Sequence, residues 1–183
     1  MPSRDDALAL LHEHTKTDSL RRHGLAVEAT MRAAAQRNGE DPELWGLTGL
    51  LHDFDFEAHP EEHPFFGRPV LEGHGYPEEV VLAIQGHATF SGVPRETDMA
   101  KWLFALDELT GFVIAVALVQ PSRQVAAVRA QSVRKKLKDK AFARSVSRDD
   151  ITQGTGELGV PVEELVELIV GALTPISAEI GLG

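Results

Sequence analysis

The sequence predicts an all-α fold, and three observations support this prediction. Apolar residues recur at helical spacing in most segments, and the residues between these segments are typical helix caps and helix stops. The stretch 112–119 is rich in β-branched residues, but it continues a helical pattern that begins upstream, so we assign it to a helix. No internal repeat, low-complexity linker or change in composition marks a second domain. We therefore expect one single-domain helical bundle over residues 1–183.

Capping residues divide the first part of the chain into three helices. The predicted helices run from Ser3 to about His14, from Asp18 to about Arg37, and from Asp41-Pro42 to about Asp53. Asn38-Gly39 ends the second of them, because both residues tolerate a left-handed backbone.

Proline and glycine mark the remaining boundaries. An acidic, Pro-rich loop over 55–64 is followed by helices predicted at 65–72, 77–89 and 97–119. The basic segment 125–144 is predicted as one or two helices, and Ser147 and Pro161 begin the last two. Pro175 is expected to kink the final helix.

Composition and charge exclude several classes of function. The net charge of −10 argues against nucleic acid wrapping the protein surface. The absence of cysteine excludes disulfides, thiolate metal sites and a cysteine nucleophile. The acidic N-terminus lacks the apolar stretch of a signal peptide, and the run 112–119 is shorter than the roughly 20 residues of a membrane span. We therefore expect a cytoplasmic protein without a membrane partner.

Positive charge is concentrated in one segment. Between Arg123 and Arg148 lie nine of the eighteen Lys and Arg residues and a single acid. Arg134, Lys135 and Lys136 are therefore candidates for binding an anionic ligand such as a phosphate. The alternative is that these side chains form a solvated helix face.

Asp107 is the polar residue that stands out most. It lies on a predicted helix within an apolar stripe that includes Leu103, Leu106 and Ile114. A buried charge needs a partner, which here is either an arginine, the hydroxyl of Thr110, or a metal cation.

His23, His52 and Asp53 offer further ligands for such a cation. His23 lies on the flank of the core face of its helix, where a hydrogen-bonded core histidine is the alternative. His52-Asp53 follows three leucines within the preceding six residues, where a desolvated carboxylate again needs a partner. Together with Asp107, these residues supply the mixed nitrogen and oxygen ligands that suit Fe, Mn, Co, Ni or Zn better than Ca.

These four residues carry a family resemblance. His23, His52-Asp53 and Asp107 match, in order and type, the signature of the HD superfamily of metal-dependent phosphohydrolases. More closely, the chain resembles the small bacterial HDIG-type hydrolases. The resemblance implies the HD-domain fold, with a metal-site core at about 18–120 and the basic and C-terminal helices at about 121–183.

The resemblance also implies an activity and its cofactors. It implies one or two divalent ions (Fe, Mn, Co, Ni, Zn or Mg) and hydrolysis of a phosphate ester of a nucleotide or similar small molecule by a metal-activated water. Asp53 would bridge two ions, and His63 and His87 would complete the second site. The motif reads His52-Asp53-Phe54-Asp55 in place of His-Asp-Ile-Gly, and Asp55 or Glu57 is a candidate proton donor to the leaving group. The alternative for each of these two acids is an exposed position in the loop.

Two other classes of function fit the same residues. One is a non-catalytic HD-fold module that binds metal and nucleotide for regulation, and the other is a structural helical protein with a hydrogen-bonded polar core. The apolar residues of the last helix indicate either a homodimer contact or part of the core; they are Leu165, Leu168, Ile169 and Leu173.

Overall fold

The computed structural model describes residues 2–182, and over this range the chain forms nine α-helices and no strand. The predicted all-α fold is therefore confirmed. The helices are α1 (Arg4–His14), α2 (Asp18–Asn38), α3 (Pro42–Leu51), α4 (Gly67–Gly73), α5 (Glu78–Gly86), α6 (Asp98–Val119), α7 (Ala130–Leu137), α8 (Arg148–Leu158) and α9 (Val162–Leu173). Two short 3₁₀ turns lie at Thr89–Ser91 and Val125–Ala127.

Local capping chemistry sets several boundaries where the sequence predicts them. The Ser3 side chain and Asp6 form a reciprocal capping box at the start of α1. Asp41 caps α3 by accepting hydrogen bonds from two backbone N–H groups, and Pro42 takes the first helical position. Gly39 ends α2 in a left-handed conformation with φ of 73°.

Other boundaries differ from the predictions. Thr17, rather than Asp18, is the N-cap residue of α2. α5 ends at Gly86, three residues before Thr89, and Arg95 donates a hydrogen bond to the carbonyl of Gly86. α9 ends at Leu173 and is not kinked by Pro175, because proline has no N–H with which to continue the helix. Only Ala130–Leu137 is α-helical within the basic segment.

α6 is the central helix of the fold. It packs against α2, α5, α7, α8 and α9, and most of its apolar side chains are buried. Within residues 2–182 it is the one helix long and apolar enough to cross a membrane, although 61% of its most apolar window is buried inside the protein. The apolar part of α6 is thus longer than the run 112–119. The central helix of a folded core can meet the same length and hydropathy criteria as a membrane span.

α2 and α3 approach each other closely through two glycines. A Cβ atom at Gly24 would lie 2.9 Å from the carbonyl oxygen of Leu50, and one at Gly49 would lie 2.7 Å from the carbonyl oxygen of Val27. Only residues without a side chain allow the two backbones to come this near. The contact brings His23, which precedes Gly24, next to His52 at the end of α3.

The C-terminal helix contributes to the core. Leu165, Ile169 and Leu173 are fully buried within the chain, and Leu168 is partly buried. α9 packs against α2, α6 and α7. The three buried residues are therefore part of the core, which was one of the two alternatives. Because their side chains are buried, they offer no surface for a homodimer contact, and the homodimer remains a prediction.

Candidate metal centre

Six of the sequence-predicted residues meet at one place in the fold. They come from four helices or helix ends and from the turns that follow α3. They are His23 on α2, His52 at the C-cap of α3, Asp53 after it, His63 in the turns before α4, His87 at the C-cap of α5, and Asp107 on α6.

The two carboxylates are the centre of this cluster. Asp107 Oδ1 lies 2.9 Å from His23 Nε2 and 3.2 Å from His52 Nε2. Asp53 Oδ2 lies 3.4 Å from His52 Nε2. The other oxygen of Asp53, Oδ1, lies 3.4 Å from His63 Nε2 and 3.2 Å from His87 Nε2. The Nε2 atoms of all four imidazoles therefore face a carboxylate oxygen.

The opposite nitrogen fixes the orientation of three of these imidazoles. His52 Nδ1 is 2.8 Å from the carbonyl oxygen of Gly49, and His87 Nδ1 contacts the carbonyl oxygen of Ile84. His63 Nδ1 is 2.7 Å from Asp55 Oδ1. Because these oxygens only accept hydrogen bonds, each Nδ1 carries a proton. In a neutral ring, Nε2 then carries a lone pair that is free to bind a metal.

The surroundings of His52 Nε2 show whether a cation fits among these ligands. Its Nε2 is buried, has no hydrogen-bond partner within residues 2–182, and lies beside oxygens of both carboxylates. A lone pair that faces two carboxylates in a buried site is unfavourable unless a proton or a metal ion lies between them. The donor set, four imidazoles and two carboxylates, is one that borderline divalent metals prefer.

The electrostatics of the cluster lead to the same conclusion. Burial opposes the charged form of Asp53, but His52 and His87 outweigh it and hold its pKa well below the usual value. The pKa of Asp107 is lowered in the same way, mainly by His52 and His23. Burial likewise opposes protonation of His52 and His87, yet the neighbouring carboxylates raise the pKa of both. The cluster thus holds two ionised carboxylates that need positive charge, which bound metal would supply in exchange for protons.

The geometry provides two overlapping groups of ligands. One consists of His23, His52 and Asp107, and the other of His52, Asp53 and His87. Within each group the ligand atoms lie within 4.8 Å of one another. His63 Nε2 approaches the second group through Asp53. The arrangement therefore has room for one ion or for two.

The alternatives for Asp107 and His23 can be compared with these contacts. Within residues 2–182, no arginine pairs with Asp107, and the hydroxyl of Thr110 donates a hydrogen bond to Thr30 instead. His23 Nε2 contacts Asp107, so its polar atom faces the cluster rather than a backbone group. Asp107 therefore pairs with His23 and His52, and the positive charge between them is supplied by a proton or by a metal ion.

The structure places neither Asp55 nor Glu57, the two expected proton donors, in the wall of the cavity. Asp55 is buried, and its two oxygens accept hydrogen bonds from His63 Nδ1 and from the N–H of Gly67 at 2.8 Å. It therefore lies behind the imidazole of His63 and does not line the cavity. Glu57 accepts hydrogen bonds from the N–H groups of Lys16 and Thr17, and the bond from Thr17 lowers its pKa.

The residues expected to bind phosphate do not line the cavity at the cluster either. Arg134 pairs with Glu163 on α9 at 2.8 Å, and with Lys135 it lines a separate surface depression. Lys136 lies over the ring of Phe142 and near Asp139. None of the three lines the cavity at the cluster, so the solvated-face alternative describes them better.

The cluster opens into a cavity of about 280 Å³. Besides ligand candidates, its walls contain residues that the sequence reasoning missed, and these are Phe56, Ala88, Thr89, Phe90, Phe104, Glu108 and Asp150. Glu108 follows Asp107 directly, which is a signal the sequence offered. Asp150 reaches the cavity only because α8 packs against α6, and no local pattern indicates that contact.

Glu108 is an acid of the cavity wall whose pKa is raised, whereas the pKa values of Asp53 and Asp107 are lowered. Burial and the charge of Asp107 raise its pKa to about 7. Its Oε2 accepts a hydrogen bond from the N–H of Ser147 at 3.1 Å, which fixes the side chain against the start of α8.

An all-α fold built around clustered imidazoles and carboxylates defines a helical protein with a candidate divalent-metal centre. The sequence profile of the HD domain matches residues 20–117, more than half of the chain, and this range includes all six clustered residues. The chain therefore belongs to the HD domain family, whose members are generally metal-dependent hydrolases. Searches of curated proteins and of solved structures gave no match. The HDIG subtype and the bacterial origin remain predictions.

Proposed function

We propose that this protein is a metal-dependent phosphohydrolase that cleaves a phosphate ester of a nucleotide or a similar small molecule. The observation that carries the proposal is the open side of the cluster. The side chains of Asp53 and Asp107 remain 27% and 15% exposed, and both face the cavity. Structural metal sites are closed by protein ligands on every side, whereas catalytic sites keep an open position for substrate.

In this proposal the ligands divide between two positions. His23, His52 and Asp107 would hold one ion, and His63 and His87 the other, with Asp53 between them. The ions would be one or two of Fe, Mn, Co, Ni, Zn or Mg. When bound, such ions supply Lewis acidity toward the phosphoryl group and lower the pKa of a water molecule so that it is a nucleophile at neutral pH.

The protein's own side chains then bind and orient the substrate. Among the residues that the structure describes, no Lys or Arg lines the cavity, so the phosphate is directed to the ligand cluster itself and not to a cationic wall. Glu108 is positioned by Ser147 at the edge of the cluster, where its carboxyl group can exchange a proton with the departing oxygen. Phe56, Phe90 and Phe104 surround the opening with apolar surface that limits the access of bulk water.

A screen of phosphate esters tests this proposal. Purified protein would be loaded separately with each candidate metal and assayed against phosphomonoesters and phosphodiesters, including nucleotides. We expect turnover that requires metal and falls at least about 100-fold in Asp53→Asn and Asp107→Asn. Asp5→Asn, which changes an exposed acid on α1 far along the chain from the ligands, is the matched control and should retain activity.

The other two classes of function give different results in the same experiment. A regulatory module would bind metal in proportion to protein and show a higher melting temperature with it, but would leave every ester intact. A structural protein would contain no stoichiometric metal, and Asp107→Asn would change neither metal content nor activity. Either result would overturn the proposal.

A further inference from the structure

Two phenylalanines at the mouth of the cavity are unusually exposed. Phe56 is 43% exposed and Phe90 is 76% exposed, although both are large apolar side chains. Their rings lie near the same imidazole, with centroids 5.4 Å and 6.4 Å from that of His63. Exposed aromatic side chains grouped at a cavity, rather than scattered, are typical of a binding surface.

The walls behind these rings are apolar. Phe104 and Ala88 line the same cavity, and both are buried. A planar ring that enters beside Phe56 and Phe90 therefore meets aromatic and aliphatic surface while its ester group reaches Asp53 and the imidazoles. Stacking of this kind depends on the planar π-face and accepts rings of different identity.

The cavity wall carries acidic side chains outside the ligand cluster. Within residues 2–182, the charged residues that line the cavity besides the candidate ligands are Glu108 and Asp150. Asp150 Oδ1 accepts a hydrogen bond from the hydroxyl of Thr89 at 3.0 Å, and Glu108 Oε2 accepts one from the N–H of Ser147. Over residues 2–182, the second oxygen of each carboxylate has no protein donor, so it can accept a hydrogen bond from a ligand.

The size of the cavity sets a further limit. Its volume of about 280 Å³ is at the lower end of the range of about 300–1,000 Å³ that is usual for small-molecule sites. A cavity of this volume suits one ring with one ester group.

We infer that the substrate is a phosphate ester of a single planar ring system that carries hydrogen-bond donors and no second anionic group. Phe56 and Phe90 bind the ring, and Glu108 and Asp150 disfavour additional phosphates. This inference rests on the proposed phosphohydrolase function, and it names the residues that determine specificity.

Matched ester pairs test the role of the ring. Benzyl phosphate and cyclohexylmethyl phosphate have leaving groups of similar basicity, but only benzyl phosphate carries a planar ring. With metal-loaded protein, we expect Phe90→Leu to raise KM for benzyl phosphate about tenfold and to change KM for cyclohexylmethyl phosphate much less. Phe65→Leu is the control, because Phe65 is also exposed but does not line the cavity. Equal KM values for the two esters in the unmodified protein, or equal effects of Phe90→Leu on both, would overturn the inference.

A second pair tests the acidic mouth. Adenosine 5′-monophosphate should have a kcat/KM about tenfold or more above that of adenosine 3′,5′-bisphosphate, and Asp150→Asn should reduce this difference. A preference for the bisphosphate, or an unchanged ratio in Asp150→Asn, would contradict the assignment.

A binding measurement separates failure of the inference from failure of the proposed function. Saturation-transfer NMR with adenosine, which has no phosphate, should show stronger transfer to the ring protons than to the ribose protons. Phe90→Leu should reduce this transfer strongly, while Phe65→Leu should not. If no ester is hydrolysed but ring transfer is lost in Phe90→Leu, the proposed function is wrong and the ring site stands. If esters are hydrolysed without ring transfer in the unmodified protein, the ring site is wrong and the function stands.

Discussion

Asp55 and His63 form a buried pair behind the candidate metal centre. Asp55 Oδ1 accepts a hydrogen bond from His63 Nδ1 at 2.7 Å, and Oδ2 accepts one from the N–H of Gly67. Both side chains are buried, so rotation of the imidazole would leave a desolvated carboxylate without its partner. The pair therefore holds His63 Nε2 toward Asp53, 3.4 Å away.

Asp55→Asn should weaken metal binding without unfolding the protein. An asparagine that donates its amide hydrogen to His63 Nδ1 places the imidazole proton on Nε2, the atom that faces Asp53. We expect a loss of about 10- to 100-fold in affinity for the weaker-bound ion, measured by competition with a chromogenic chelator. Glu61→Gln, an exposed acid of the same loop, should have no effect. Unchanged affinity in a folded Asp55→Asn protein would show that the pair does not support a ligand.

The number of bound ions depends on the second ligand group. Wild-type protein should bind two equivalents of metal, measured by elemental analysis after equilibrium dialysis. His87→Ala removes a ligand whose Nε2 lies 3.2 Å from Asp53 Oδ1 but leaves His23, His52 and Asp107 in place. We therefore expect one equivalent in this variant. One equivalent in the wild type would mean that the cluster holds a single ion. Two equivalents in His87→Ala would mean that the second ion does not need His87.

The sequence identifies those residues whose surroundings are determined by neighbours within a few positions along the chain. Asp107 stands out because its helical neighbours are apolar, and Ser3 and Gly39 act within a few residues of their own positions. The imidazoles of His52 and His87 are placed by the ends of their own helices, through the carbonyl groups three residues earlier. Such signals are contained in short segments, and a pattern of spacing reveals them.

The errors concern side chains whose position depends on packing between distant segments. Asp55 is a candidate proton donor by its place in the sequence, but the turn that leads to Gly67 encloses it. Arg134 is a candidate for binding phosphate by its charge, but α7 packs against α9 and turns this residue toward Glu163. Asp150 enters the cavity through the contact of α8 with α6, which no feature near Asp150 indicates.

Gly49→Ala should destabilise the fold and loosen the metal centre together. The added Cβ would lie 2.7 Å from the carbonyl oxygen of Val27, a backbone atom that cannot move aside alone, so α2 and α3 must separate. We expect a loss of about 1–3 kcal/mol in the free energy of unfolding, measured by urea denaturation, and a weaker affinity for metal. Gly171→Ala is the control, because a Cβ at this exposed position of α9 meets no atom within 4 Å. It should be neutral or stabilising by up to about 1 kcal/mol. Equal effects of the two substitutions would contradict the close approach of the helices.

Glu108 makes the stability of the metal-free protein depend on pH. Burial, with the charge of Asp107, raises the pKa of its carboxyl from 4.5 to about 7 in the folded state. Below pH 4.5 the group is neutral in both states and has no effect. Between pH 4.5 and about 7 the unfolded chain ionises first, so the free energy of unfolding decreases as the pH rises. Above pH 7 this loss is complete.

Glu108→Gln should therefore stabilise the metal-free protein at pH 8 and leave its stability at pH 4 nearly unchanged. The amide oxygen of glutamine can still accept the hydrogen bond from the N–H of Ser147, so the comparison isolates the charge. The measurement is urea denaturation in the presence of a chelator at the two pH values, for the variant and the wild type. Glu167→Gln, at an exposed position in the middle of α9, should show no such difference between the two pH values. A stabilisation by Glu108→Gln that is the same at pH 4 and pH 8 would mean that packing, and not the ionised carboxylate beside Asp107, destabilises the folded state at this position.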